Sequence, residues 1–467
     1  MPHELLICVN QRMNAISCGG RGSNEIADAL DEGIKQRGLN VQLIRIQCFG
    51  RCNNGPVLRI VGQSFHHRTQ LSDVPALLEQ LELFMSEQKT PPIYTRLGVK
   101  PVINGCGVYT DLGGSRLSAS VWEAMEQVNR SFVDLPELLD KAGLRVASLL
   151  GAEAGIITPG AAAAIMLGSA AAMAGTDGEV SQRLPDTTGL KRKVLIQSGH
   201  RYKYDRQVSM TGAQLVEVGS ENGTRTEQIE EAVDDATAMI LYPAHLASKA
   251  GSVSISEVSK VARAHNVPLF VDAAFMNYPT DVLQGLIDQG ADLVAVSAKY
   301  FGGPNAGGFI MGRTDLIEAV RNVYFTRYES GAYLKYGRPL KMDRHTVVAV
   351  VVALEDWLER DHEERLRSWK LRGELLCDGL QGLSGINARP MCFTLDERIV
   401  PEPVNCVTLN FDSATPLTAT KLAQALKDED PQILTIPEGD VLIVAIDEMT
   451  DAEARYVASR IASAASG

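Results

Sequence analysis

At 467 residues the chain is too long for one hydrophobic core, and its length points to two or three domains. It is 45% hydrophobic and 22% charged, the balance of an ordinary globular protein, while a net charge of −12 argues against a nucleic-acid footprint, which needs a basic face. The apolar stretches are short and interrupted, and the opening MPHELLICVNQRMN lacks the apolar run of a secretory leader. The expectation is a cytoplasmic protein that engages neither membrane nor nucleic acid.

Residues 1–86 read as a small α/β unit. LLICVN is a strand, NEIADALDEGIKQRG an amphipathic helix ending at a glycine, VQLIRIQ an alternating strand, VLRIVG another strand and VPALLEQLELFMSEQ a closing helix. KTPPIYTRLG, with its paired prolines, reads as a linker. Four of the eight cysteines (Cys8, Cys18, Cys48, Cys52) fall in this unit. In a reducing compartment such a cluster favours metal or redox chemistry over disulfides. Their spacing matches neither the plant-type ferredoxin run nor a zinc knuckle.

From about residue 100 the pattern becomes a long α/β alternation. Strands are expected at 193–199, 238–243, 267–274, 291–299 and 307–312, with helical segments such as EQIEEAVDDA and SISEVSKVARAHN between them. Such runs imply a mostly parallel, buried sheet with right-handed crossovers. HTVVAVVVALEDWLERD then opens a C-terminal region read as a second α/β layer.

Three elements carry the chemistry, in order. ITPGAAAAIMLGSAAAMAG (157–175) is a small-residue turn entering a helix, where backbone N–H groups can approach an anion; an Ala-rich buried helix is its ordinary reading. PLFVDAA ends an apolar strand in Asp272, where α/β ligands bind. Pyridoxal phosphate (PLP) needs such an acid at its pyridinium nitrogen, although an acid there can also simply cap a helix. VSAKYFGGPNAGG places Lys299 after another apolar strand and before a glycine-rich turn, where desolvation and nearby positive charge can remove its proton, as imine formation requires.

That order, with VINGCGVYTDLGGSRLS (102–118), FVDLPELLDKAG (132–143), LPDTTGLK (184–191), GAQLVEVGSENGTR (212–225), VDAAF and SAKYFGGPNAGG, resembles the selenocysteine-synthase (L-seryl-tRNA selenium transferase) branch of fold-type I PLP enzymes, including the D-glucosaminate-6-phosphate ammonia-lyase-like proteins. The resemblance implies an aspartate-aminotransferase-like large domain over 90–343 and a small C-terminal α/β domain over 344–467. It implies that Lys299 forms the imine and Asp272 pairs with the pyridinium. Gly160, Ala161 and Ala162 would cradle the phosphate with Ser297, and His200 would stack on the ring. Asn104, Thr110, Ser115 and Arg116 would line the substrate end, and Lys341 and Arg344 would face a substrate anion. It also implies an even-numbered homo-oligomer acting on a small-molecule substrate.

CVNQR, SCGGRGS and CFGRCNNGP resemble the thioredoxin-like 2Fe–2S ferredoxins, which implies such a domain over 1–89 with Cys8, Cys18, Cys48 and Cys52 as cluster ligands. Three functions of different kinds follow. The first is a PLP enzyme that makes or breaks a carbon–sulfur bond, with Cys106 as a low-pKa thiol carrying sulfur and the cluster, fed by an electron donor, managing it; a buried structural thiol is the other reading of Cys106. The second is an eliminating ammonia-lyase of an amino acid or amino-sugar phosphate, with a structural or regulatory cluster. The third is a redox sensor or electron carrier on a PLP scaffold, against which the Lys299/Asp272 pair argues.

Overall fold

In the computed structural model, residues 3–12, 16–39, 41–60, 65–86, 91–394, 398–412, 415 and 417–466 are described. Packing divides the chain into two units: Met1–Cys106 with Trp369–Cys392 and Pro401–Gly467, and Gly107–Ser368 with Phe393–Val400.

The first unit opens with the strand–helix–strand alternation expected of it. Strands β1 (His3–Cys8), β2 (Val41–Ile46), β3 (Val57–Ile60) and β4 (Phe65–His67) form a sheet of order β2-β1-β3-β4. β1 and β2 are parallel, while β3 runs antiparallel to β1 and β4 antiparallel to β3. A parallel pair needs a crossover, which the helix Ser23–Gln36 supplies. That helix and Val74–Ser86 bury Ile26, Leu30, Ile34, Leu77, Leu78 and Leu81 against Leu5, Ile7, Leu58 and Ile60. Gly33 lets the two helices meet: a Cβ there would stand 2.2 Å from a Leu78 methyl. The stretch read as a linker holds a short helix, Pro92–Leu97, because proline suits the first helical turn and Gly98 closes it at φ +69°. β5 (Val102–Asn104) pairs in parallel with Gln432–Leu434 of the C-terminal region. There the antiparallel strands Ile386–Phe393, Cys406–Phe411 and Val441–Ala445 bury Val407, Leu409, Leu442 and Val444 in a core of their own.

The second unit is built on a seven-stranded sheet of order β6-β12-β11-β10-β9-β7-β8. Its strands are β6 (Ala154–Thr158), β7 (Lys193–Gln197), β8 (Gln214–Val218), β9 (Thr237–Pro243), β10 (Leu269–Asp272), β11 (Leu293–Ser297) and β12 (Gly308–Gly312). All neighbours are parallel except β12, which runs antiparallel to both β11 and β6, so the sheet is mixed. Strands β6, β9, β10, β11 and β12 are buried at every position, which explains why the last four read as unbroken apolar runs rather than alternating ones. The helix Ala161–Ala174 lies on this sheet at close range. A Cβ on Gly168 would sit 2.7 Å from the Phe270 ring, so a residue that weakens a helix interior is offset here by close approach to β10.

The helix Arg344–Glu359 departs from the boundary at 343/344. Its Val347, Val350, Ala353 and Leu354 are buried in the core of the second unit, which sets its place more strongly than the composition shift that follows it. Among the described residues no helix is long and apolar enough to cross a membrane.

Candidate active site

Register brings the motif residues to one edge of the large sheet. Thr158 on β6 stands opposite Gly308 on β12, which stands opposite Ser297 on β11. One strand further, Asp272 at the end of β10 lies beside Ala295 of β11 and Pro243 of β9. The turn after β6, Asp272 and the turn after β11 therefore share the carboxyl-end edge of the parallel strands, where ligands of open α/β sheets bind.

The turn after β6 is shaped for an anion. Gly160 has φ +85°, open to glycine but strained for other residues, and it starts the 14-residue helix with no side chain capping the free N–H groups. The Thr158 hydroxyl, fully buried, donates to the Gly160 carbonyl at 3.2 Å. A Cβ on Gly308 would fall 2.9 Å from the Gly160 Cα, so the turn is seated directly on β12. Ala161 is buried and Ala162 exposed at the first helical positions. Such a terminus offers backbone donors and a positive dipole end to a phosphate.

Asp272 is 3% exposed. Its Oδ1 accepts from the Ala274 N–H at 3.0 Å and its Oδ2 from the Tyr202 hydroxyl. Burial pushes the carboxyl above its usual range, against the pull of these two bonds. A buried carboxyl with two neutral donors is an acceptor for a further cation or N–H.

Lys299, expected as the last residue of a strand over 291–299, lies two residues beyond the end of β11, in the 3-10 turn Ala298–Phe301. Its Nζ donates to the Thr110 hydroxyl at 2.7 Å and lies 4.9 Å from the Tyr300 ring centre. Burial lowers its pKa, the charge of Lys203 lowers it further, and Asp111 opposes both. Thr110 and Ser115, expected at the substrate end, do reach this turn, the second through a bond from its hydroxyl to the Gly303 carbonyl at 3.3 Å. Ser297 donates its backbone N–H to Ala274 (2.8 Å), and Arg116 is exposed just beyond Ser115.

Other expected residues are placed differently. His200 is fully buried, its Nε2 paired with the Ser252 hydroxyl at 2.9 Å and its ring edge-on to Tyr242. Burial, then His245 and Lys249, pushes its pKa down to about 4, so it is a neutral core histidine. The aromatic group in contact with Asp272 is Tyr202, two residues on, with the His245 ring 5.3 Å from it. Lys341 is exposed, and Arg344 donates to the Val128 carbonyl at 3.2 Å and lies over Phe132. Asn104 and Cys106 belong to the first unit, where the Asn104 carboxamide accepts the Cys106 N–H at 2.9 Å. Burial pushes the Cys106 thiol up to about 11, which runs against the expectation of a low-pKa thiolate. The residues missed in the sequence are Tyr202, Lys203 and Asn305. Asn305 lies in the SAKYFGGPNAGG turn, and nothing local to QSGHRYKYD (197–205) marks which ring meets Asp272.

In the N-terminal region Cys8 and Cys18 are each 1% exposed and share a small apolar cluster with Val57. Cys8 donates to the Gln47 carbonyl, whereas Cys48 is exposed and its sulfur accepts the Gly50 N–H at 3.2 Å. Cys52 opens a short 3-10 turn, and its side chain lies outside the described residues. Among the described residues no three His, Cys, Asp or Glu side chains gather as a metal site.

The family model described as SelA, L-seryl-tRNA selenium transferase, matches residues 102–371. The chain is similar to the D-glucosaminate-6-phosphate ammonia lyase of Salmonella typhimurium, with 35% identity over 274 residues that cover 57% of this chain and 70% of that protein. It is also similar to a 5'-C-glycyluridine monooxygenase-decarboxylase of a Streptomyces species, 33% identical over 304 residues, 63% of this chain and 73% of the other. A solved structure of D-glucosaminate-6-phosphate ammonia-lyase matches with a TM-score of 0.69 at 28% identity, covering 81% of this chain and 99% of that one.

Proposed function

The chain belongs to the L-seryl-tRNA selenium transferase family, and from that premise we propose that it is a PLP-dependent lyase that eliminates an amine from a small amino acid or amino-sugar phosphate. One observation carries the reading. A buried carboxyl at the end of β10 and a buried lysine just after β11 share the edge that also holds an uncapped helix start.

These residues fit PLP. The Gly160–Ala162 turn offers backbone donors to its phosphate with Ser297 nearby, Asp272 has an acceptor for its ring nitrogen, and Lys299 is the amine that holds it. When bound, PLP supplies the electron sink that lets a bond at an amine-bearing carbon break. The protein does the rest. Asp272, kept anionic by a protonated ring nitrogen, preserves that nitrogen's charge. The Lys299 amine, its pKa lowered by burial, takes a proton from the amine-bearing carbon, and once charged it returns one to the departing group. Thr110 holds Nζ on the way. The reading includes a homo-oligomer of even number and no nucleic-acid partner, in keeping with the net charge of −12.

A carbon–sulfur lyase or transferase is the second reading, supported by the cysteine-rich N-terminus. Its weak point is Cys106, whose elevated pKa leaves it a thiol at neutral pH. Holoenzyme offered D-glucosaminate 6-phosphate, L-serine and L-cysteine separately is expected to release ammonia and a 2-keto acid, and Cys106→Ala to match the wild-type rate. Sulfide from cysteine as the fastest reaction, slowed by Cys106→Ala, would move the assignment to sulfur.

We also propose that the N-terminal region holds a 2Fe–2S cluster. Its support is the layout of the N-terminal region, a βαβ unit followed by a ββα unit as in thioredoxin-like folds, with Cys8 and Cys18 buried in one cluster. Full-length protein purified without oxygen is expected to carry iron and acid-labile sulfide in equal amounts, lost in Cys18→Ser. Zinc without labile sulfide would refute the cluster.

A further inference from the structure

We propose that Asn305 is a positioning residue: through Thr110 it clamps the 109–115 loop onto the turn of Lys299, and so sets where the lysine Nζ stands. The proposal rests on the reading of Lys299 given above.

Thr110 is bonded at both of its acceptor atoms by residues of one turn. Its hydroxyl oxygen accepts Lys299 Nζ at 2.7 Å, and its carbonyl accepts Asn305 Nδ2 at 3.2 Å. Thr110 is exposed, in a short 3-10 turn with little packing of its own to hold it. The clamp continues on either side. Tyr109 bridges Gly114 across the loop, Gly114 bridges Pro304, and the Ser115 hydroxyl reaches the Gly303 carbonyl at 3.3 Å.

The fit leaves no slack. Gly114 has φ +82°, and a Cβ there would meet Asn305 Oδ1 at 3.1 Å and Lys299 Cβ at 3.2 Å. The loop thus lies against both side chains at a point where only glycine fits. Asn305 Oδ1 is itself buried and has no hydrogen-bond partner among the described residues. A carboxamide held with one end unsatisfied is costly, and an apolar side chain of similar size would avoid that cost. What the apolar side chain lacks is the Nδ2 donor, so the donor to Thr110 is what Asn305 adds.

The test uses full-length protein in its PLP-free and PLP-loaded forms. In the PLP-free form, hydrogen exchange is read at Leu112, Gly113 and Gly114, whose amides are bonded inside the loop. Asn305→Ala and the similarly sized Asn305→Leu should both speed that exchange by roughly two- to twelvefold, the equivalent of one neutral hydrogen bond. Both should also slow PLP uptake, followed by absorbance. Thr110→Val should slow uptake while leaving loop exchange near wild type, because it keeps the carbonyl and removes only the acceptor for Nζ, and Thr110→Ser should restore uptake. Combined with Asn305→Leu, Thr110→Val should slow uptake no further than the stronger single change, since both act through one hydroxyl. Unchanged exchange in Asn305→Leu would make the residue a space-filler and overturn the proposal, as would fully multiplicative effects on uptake. A borohydride-reducible PLP band surviving in Lys299→Ala would instead overturn the reading of the site, whatever Asn305 does.

Discussion

Lys299→Ala should abolish turnover and remove the borohydride-reducible absorbance of the holoenzyme. The amine is buried at 9% exposure, donates to a neutral hydroxyl, and has its pKa lowered by burial and by Lys203. A lysine so placed is reactive because it is poorly solvated, and no other described lysine shares the edge near Asp272 with the same burial. The substitution also has a signature in the PLP-free protein that does not depend on chemistry. An unfolded lysine keeps its proton up to about pH 10.4, whereas the folded one releases it earlier. Between those two values the unfolded chain binds more protons, so wild-type stability rises with pH across that window. Lys299→Ala lacks this contribution, and thermal melts at a series of pH values should show a shallower rise in Tm. Equal slopes in the two proteins, or a reducible band that survives, would contradict the assignment.

Asp272→Asn should bind PLP yet turn over at least roughly 10²–10³-fold more slowly, the scale seen when one preorganised electrostatic partner is removed. Asparagine keeps the shape: its Oδ1 can still accept from the Ala274 N–H, and its Nδ2 can donate to the Tyr202 hydroxyl oxygen, so the fold should persist. What it loses is the negative charge. A buried carboxyl surrounded by neutral donors is held above its normal pKa, and a cationic ring nitrogen is the partner that would return it to the ionised form. Without that charge the nitrogen loses its proton and the ring is a weaker electron sink. The comparison to make is kcat in the two proteins at saturating PLP, with cofactor content measured in each. Near-wild-type turnover in a fully loaded Asp272→Asn would place the pyridinium partner elsewhere.

Much of the site was legible because its cues are local. Apolar β-branched runs flanked by turn residues mark β9, β10, β11 and β12 whichever strands they pair with, since a strand buried on both faces must be apolar throughout. Asp272 and Lys299 stand out because a charge at the end of such a run is rare without a use. The anion turn is marked by Gly160, whose positive φ suits glycine.

Three matters were decided by tertiary structure alone. β6, not marked as a strand beforehand, is separated from β11 only by the antiparallel β12, and this register sets Thr158 and the helix start level with Ser297. QSGHRYKYD holds three rings within five residues, and only the chain's path after β7 buries His200 while carrying the Tyr202 hydroxyl to Asp272. The direction of the Cys106 shift likewise followed from burial of the thiol, which the sequence does not display. By itself the sequence determined most of the strands and turns and which residues could do chemistry, because propensity and burial pattern act over a few neighbouring residues. Adjacency of strands, the partner of each polar group and the sign of each pKa shift depend on residues dozens to hundreds of positions apart, and only the folded chain brings those together.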